Sequence, residues 1–290
     1  MDFLRLMKDR RIVLLDGAMG TQLDERGLMS RGSCNLDAPE AVLEIHQTYA
    51  ACGCDGLTTN TLTMNRIYIE THKVGVSVRD VNRAGVELAR QAAAAGQFVL
   101  GDMSSTGQLM EPYGTFKESE FYSAFVEQAH VLAEVGVDGY VVETVFDLRE
   151  ALCALRACKD VSSLPVIVSM AFQTEKNGGR TVMGDTAEQC ARRLADAGAD
   201  AVGANCGSLD PAQMANIVAI LRAAIDLPIV AQPNAGLPKL VEDRTVFEMG
   251  SAAFAEGIAK CIEAGARIVG GCCGTTPEHI RAVRRRIERM

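Results

Sequence analysis

Ala266-Arg267-Ile268-Val269-Gly270-Gly271-Cys272-Cys273-Gly274-Thr275-Thr276-Pro277 is the stretch that decides how this chain folds. A short apolar run leads into two glycines and two adjacent cysteines. A proline suited to the first turn of a helix follows. The pattern predicts a buried strand that delivers two thiols to its C-terminal tip, then a helix over Pro277–Arg289. A third thiol, Cys206, closes an earlier run of the same kind, Ala201-Val202-Gly203-Ala204-Asn205-Cys206. Two strands that carry three thiols to one end of a sheet outline a metal site. Zinc is the natural occupant, because thiolate suits it and three protein ligands leave one position open.

Outward from these two strands, the same strand–helix alternation covers the chain. Further strands are expected at Arg11–Leu15, Gly56–Thr61, Phe98–Met103, Gly139–Thr144, Pro165–Ala171 and Pro228–Gln232. They are continuously apolar, as strands covered on both faces should be. Helices are expected at Pro39–Ala51, Val78–Ala95, Glu118–Val135, Leu148–Lys159, Thr186–Ala197, Pro211–Ile225 and Ala252–Ala264. Eight such units in 290 residues predict a single (β/α)8 TIM barrel, one domain over residues 1–290. The competing open doubly wound sheet lacks its phosphate-binding glycine fingerprint. A short helix within residues 1–9 should cover the barrel bottom. Active sites of such barrels lie at the C-terminal ends of the strands. That rim gathers Asp16-Gly17, Asn60, Asp102, Glu143, Cys206, Asn234 and the cysteine pair.

Composition narrows the function. A net charge of −8 argues against nucleic acid and anionic membranes as partners. No run reaches the roughly 20 apolar residues of a membrane span. Ten cysteines without an N-terminal signal pattern point to a reducing compartment, so a cytoplasmic protein is expected. Seven of the ten take the ordinary reading as small buried apolar residues, the Cys52-Gly53-Cys54 pair among them.

Placed together, these motifs resemble the homocysteine S-methyltransferase family. Within it, the likeness is to the N-terminal homocysteine-binding domain of cobalamin-dependent methionine synthases. The resemblance runs through Asp16-Gly17-Ala18-Met19-Gly20-Thr21, Thr59-Asn60-Thr61 and Gly139-Tyr140-Val141-Val142-Glu143-Thr144. It is most specific in Gln232-Pro233-Asn234-Ala235-Gly236 and in Gly271-Cys272-Cys273-Gly274-Thr275-Thr276-Pro277-Glu278-His279-Ile280. It implies a zinc-bearing barrel that methylates homocysteine to methionine, with Cys206, Cys272 and Cys273 as metal ligands at the catalytic centre. Asp16 and Glu143 would hold the substrate ammonium. Backbone N–H groups around Gly17-Ala18 and Ser104-Ser105 would hold its carboxylate. Ser104-Ser105-Thr106-Gly107 stands where the family often has Gly-Pro-x-Gly, and Leu62 where it favours Phe.

Asn234 has two readings, a fourth zinc ligand that substrate displaces or a turn residue before Gly236. His279 reads as a capping or solvent-facing residue. The expected methyl donor is a methylcorrinoid carried by a separate protein, whose approach the segment Glu111–Phe116 should border as a docking surface or lid, unless that segment only packs on itself. S-methylmethionine or a betaine as donor, another thiol as acceptor, and a non-catalytic zinc or thiol-redox protein are the alternatives.

Overall fold

A computed structural model describes residues 2–9, 11–29, 31–241 and 244–290. Eight parallel strands form the ring: β1 (Val13–Leu14), β2 (Gly56–Thr58), β3 (Phe98–Met103), β4 (Gly139–Val145), β5 (Val166–Met170), β6 (Ala201–Asn205), β7 (Ile229–Gln232) and β10 (Ala266–Val269). The hydrogen-bonded order is β1-β10-β7-β6-β5-β4-β3-β2. A bridge between Leu15 and Gly56 links β1 to β2 and completes a TIM barrel. A small antiparallel hairpin, β8 (Lys239–Val241) and β9 (Arg244–Val246), rises between β7 and the next helix.

The helices are α1 (Phe3–Lys8), α2 (Gly20–Glu25), α3 (Cys34–Asp37), α4 (Pro39–Ala50), α5 (Arg66–Thr71), α6 (Val78–Ala92), α7 (Glu118–Val135), α8 (Leu148–Val161), α9 (Ala187–Asp196), α10 (Pro211–Ala224), α11 (Ser251–Glu263) and α12 (Pro277–Ile287). Their boundaries follow local chemistry. Asp210 and Thr186 cap α10 and α9 with capping boxes, and Pro39, Pro211 and Pro277 start their helices. α7 ends at Gly136, which takes the left-handed conformation (φ 104°) that side chains resist.

Alternation along the strands divides the apolar residues into two sets. Leu57, Val142, Val168 and Val202 face outward and pack under the helices. Val13, Leu15, Leu100, Val141, Ile167, Ala201, Val230 and Ile268 fill the barrel interior. Phe3, Leu6 and Met7 of α1 join that interior set, and the Phe3 ring meets that of Phe98, the first residue of β3, at 5.3 Å. The first helix therefore seals the N-terminal end of the barrel, as expected. Burial of three such side chains contributes about 1.5–3 kcal/mol each.

The structure corrects the strand ends. Cys206, Cys272 and Cys273 lie just past β6 and β10 rather than within them. The ladder stops because Cys206 leaves the extended region (φ 51°), and after Gly270, which still bonds to Ala231 of β7, Gly271 and Cys272 bond to the loops after β1 and β7. The hairpin and the short helices α2, α3 and α5 were not foreseen. Each is an insertion after a strand, too short to show a periodic pattern.

Candidate active site

The thiols are brought together by backbone that three neighbouring loops hold. After β6, Cys206 (φ 51°) and Gly207 (φ 67°) turn the chain through two left-handed residues. A Cβ on Gly207 would sit 2.3 Å from the Phe172 carbonyl oxygen, so glycine is required there. Cys206 N–H donates to the Gln232 carbonyl at 3.2 Å, and Ser208 N–H to that of Phe172 at 3.1 Å. After β10, Gly271 N–H donates to the Asp16 carbonyl at 3.0 Å and Cys272 N–H to that of Pro233 at 2.9 Å. Thr275 closes the turn, its hydroxyl donating to the Cys272 carbonyl at 2.7 Å. Strain at Cys206 persists because these contacts over-determine it.

The three sulfurs lie within 4.8 Å of one another, and Cys206 Sγ is 3.9 Å from Cys273 Sγ. Tetrahedral zinc with bonds of about 2.3 Å would space its sulfurs about 3.8 Å apart. All three residues are partly exposed, while the other seven cysteines are buried. Hydrogen bonds from the Cys272 and Cys273 thiols hold the Cys206 thiol well below its usual range, and the same arrangement pushes Cys272 well up. A fourth group stands beside them. Asn234 Nδ2 donates to the Gly207 carbonyl at 3.1 Å, and its buried Oδ1 has no partner among the described residues. The three thiols are a donor set that fits zinc, and the Asn234 amide stands beside Cys206.

Three carboxyls lie below the thiols, on the inner wall. Asp16, Asp102 and Glu143 are 3, 6 and 8% exposed. Among the described residues no lysine or arginine forms an ion pair with any of them. Burial raises Asp16 to about 7. Glu143 rises to about 7 through burial and the charge of Cys206, and Asp102 goes well up through burial and then the charge of Glu143. Asp102 shares a hydrogen bond with Glu143, and its Oδ1 is buried without a partner. Asp16 accepts from the Thr58 N–H and hydroxyl, each at 2.9 Å. Buried carboxyls without a counter-ion are costly unless a cation arrives. An ammonium group would lift that cost.

Two residues here escaped the sequence reading. Asp102 was only a polar rim group of undefined duty. Asn205 drew no notice, yet its Nδ2 donates to Glu143 and lies 3.8 Å from Cys272 Sγ. Its Oδ1 accepts the Thr144 N–H at 2.8 Å. Thr144 is another left-handed residue, φ 58°, at the tip of β4. An amide directly before the first thiol of the cluster was the available signal.

The remaining expectations divide. A Cβ on Gly17 would meet Thr275 Oγ1 at 2.7 Å and the Tyr49 hydroxyl at 2.9 Å, so the backbone there is pressed against its neighbours. Ala18 N–H is committed to Thr275 Oγ1 at 3.0 Å. Ser104 is buried next to Asp102, and Ser105 turns its hydroxyl to Glu150 at 2.8 Å. Asn60 pairs with Asn35 at 2.9 Å, a structural role. His279 caps α12, accepting the Thr276 N–H at 3.2 Å, but it is buried, its Nε2 2.8 Å from the Met249 carbonyl oxygen. In the segment Glu111–Phe116, Phe116 packs edge-on against Phe121 while Tyr113 is 72% exposed.

A TIM barrel that gathers three thiols and a cluster of buried carboxyls at the C-terminal ends of its strands carries them where barrels of this fold have their active sites. The chain belongs to the homocysteine S-methyltransferase family, whose model matches residues 13–287. The methionine synthases of Mycobacterium leprae and Mycobacterium tuberculosis are each 30% identical to it over 295 residues. Those alignments cover 94% of this chain and 24% of each relative, so the chain spans about a quarter of their length. Among solved structures, the metallated form of the homocysteine methyltransferase MmuM from Escherichia coli superposes with a TM-score of 0.78 at 22% identity, covering 98% of this chain and 99% of that one. The carboxyl transferase domain of Rhizobium etli pyruvate carboxylase shares the fold at a TM-score of 0.56, 17% identity, over 98% of this chain and 48% of that one.

Proposed function

We propose that this barrel is a homocysteine-binding domain that transfers a methyl group to the homocysteine sulfur, giving methionine, with zinc held by Cys206, Cys272 and Cys273. The observation that carries the reading is the three-thiol cluster above a set of buried carboxyls with no cation partner. When bound, zinc would supply a site at which the substrate sulfur stays ionised and electron-rich. Asp16, Asp102 and Glu143 take the ammonium by charge-assisted hydrogen bonds. Gly17 and Ser104-Ser105 offer backbone N–H groups to the carboxylate. Asn234 Oδ1, buried without a partner among the described residues, would hold the metal's fourth position in the absence of substrate. The methyl–donor bond breaks with its electron pair left on the donor, the sulfur–carbon bond forms, and the thiol proton leaves to solvent.

The donor in this reading is a methylcorrinoid carried by a protein. Its support is the rim itself. Met29, Tyr113, Val182, Leu237 and Leu240 are exposed apolar residues on segments that follow a strand, around the mouth through which a donor must pass. No helix of the described residues is long and apolar enough to cross a membrane. The test incubates zinc-loaded protein with homocysteine and a panel of donors: a methylcorrinoid protein, S-methylmethionine and a betaine. Methionine formation that requires the corrinoid protein and saturates with it supports the reading. Efficient transfer from a small donor alone overturns the donor assignment, and no methionine from any donor overturns the activity.

A further inference from the structure

Glu150 is a buried carboxylate outside the cluster described above. It sits in the first turn of α8, 1% exposed, and both of its oxygens are engaged. Oε2 accepts the Ser105 hydroxyl at 2.8 Å and Oε1 accepts the Thr106 N–H at 2.7 Å. The helix N-terminus behind it favours a carboxylate there. The same βα unit carries Glu143 at the tip of β4, seven residues earlier. Ser104, Ser105 and Thr106 follow β3 directly after Met103, and all are buried. No strand partner fixes this segment, because β3 ends at Met103. Its internal bonds are longer: Gly107 N–H to Ser105 Oγ at 3.2 Å and Gln108 N–H to Thr106 Oγ1 at 3.3 Å. Glu150 takes up the Ser105 hydroxyl and the Thr106 N–H. The N–H groups of Ser104 and Ser105 have no partner among the described residues.

We propose that Glu150 is a positioning residue that holds the Ser104–Thr106 segment so that its free N–H groups receive the carboxylate of the amino-acid substrate, which makes it a determinant of selectivity for amino-acid thiols over simple aminothiols. The inference rests on the homocysteine reading and deepens it. One βα unit thus serves both ends of the substrate. Glu143 on its strand meets the ammonium, and Glu150 on its helix sets the surface that meets the carboxylate.

The test is a calorimetric titration of homocysteine and of 3-aminopropane-1-thiol, which lacks only the carboxylate, into zinc-loaded wild type, Glu150→Gln and Ser105→Ala. Gln offers an amide N–H to one of the two donors, so the segment loses a fixed contact while the buried volume is kept. Wild type should prefer homocysteine. In Glu150→Gln the homocysteine affinity should fall about tenfold while the aminothiol affinity stays within about twofold. Ser105→Ala, which removes the hydroxyl that Glu150 accepts together with the 3.2 Å acceptor of Gly107 N–H, should show the same selective loss at smaller size and decides the matter if the first variant does not fold. Equal losses for both ligands, or none for either, would overturn the positioning role. Wild type that binds neither ligand would overturn the homocysteine reading itself, and this inference with it.

Discussion

Asn205 donates its side-chain N–H to the Glu143 carboxylate one residue before Cys206, so the strand that carries the first thiol is latched to the strand that carries the central acid. The same amide accepts the Thr144 N–H at 2.8 Å and approaches Cys272 Sγ at 3.8 Å. One side chain therefore ties the thiol cluster to the carboxyl cluster. Asn205→Ala should keep the three thiols and most bound zinc yet weaken homocysteine binding about tenfold, since it strands a buried carboxylate without its donor. Metal analysis beside a binding titration checks this. A large loss of zinc with unaltered homocysteine affinity would refute the latch.

The metal assignment is tested by stoichiometry. Reduced protein should hold close to one zinc per chain. Cys206→Ala, Cys272→Ala and Cys273→Ala should each lose most of it, together with methyl transfer. Full zinc retention in the Cys206→Ala and Cys273→Ala variants would remove the ligand set. Asn234→Ala should retain zinc, because three thiolates remain, and homocysteine should still bind.

The carboxyl cluster predicts a split by ligand. Glu143→Gln and Asp16→Asn should weaken homocysteine binding by about ten- to a hundredfold, the range for a lost charged hydrogen bond of roughly 1.5–3 kcal/mol. Neither should change the affinity for 4-mercaptobutanoate, which has no ammonium. Zinc content should stay constant. If both variants bind homocysteine as wild type does, the cluster is not the ammonium site.

Glu150 predicts a pH signature in stability. Burial raises its carboxyl from the usual 4.5 to about 7, so the folded chain holds this proton more tightly than the unfolded chain. Its contribution is full below pH 4.5 and is lost as pH rises through about 7. A gap of that size corresponds to about 3 kcal/mol. Denaturant unfolding of Glu150→Gln should therefore show a smaller drop in stability between pH 5 and pH 8 than wild type. An identical drop in both proteins would contradict the sign argued here.

The strand-forming runs were legible because a barrel strand covered on both faces is mostly apolar, and Ala201–Ala204 and Ile268–Val269 carry no polar side chain. The thiol triad was legible because each cysteine follows such a run directly. Asn205 and Asp102 were harder to read, since their importance depends on what faces them across the barrel, and Glu143 is 62 residues from Asn205 in sequence. Glu150 was hidden for a different reason. On a helix of alternating apolar and charged residues, a glutamate reads as solvent-facing, and only the packing of α8 beneath the Ser104–Thr106 segment turns it inward. His279 was read correctly as a cap, while its burial comes from the Met249 loop, which the helix pattern does not reveal.

The helix that seals the barrel bottom constrains the traffic of molecules. With Phe3, Leu6 and Met7 filling the N-terminal end, the interior is closed on that side among the described residues, and the thiols lie at the other end. A protein donor seated across that other end would block the small substrate behind it. Under the proposed reading, loading would have a compulsory sequence: homocysteine would enter before the donor closes over it, and methionine would leave only after the donor departs.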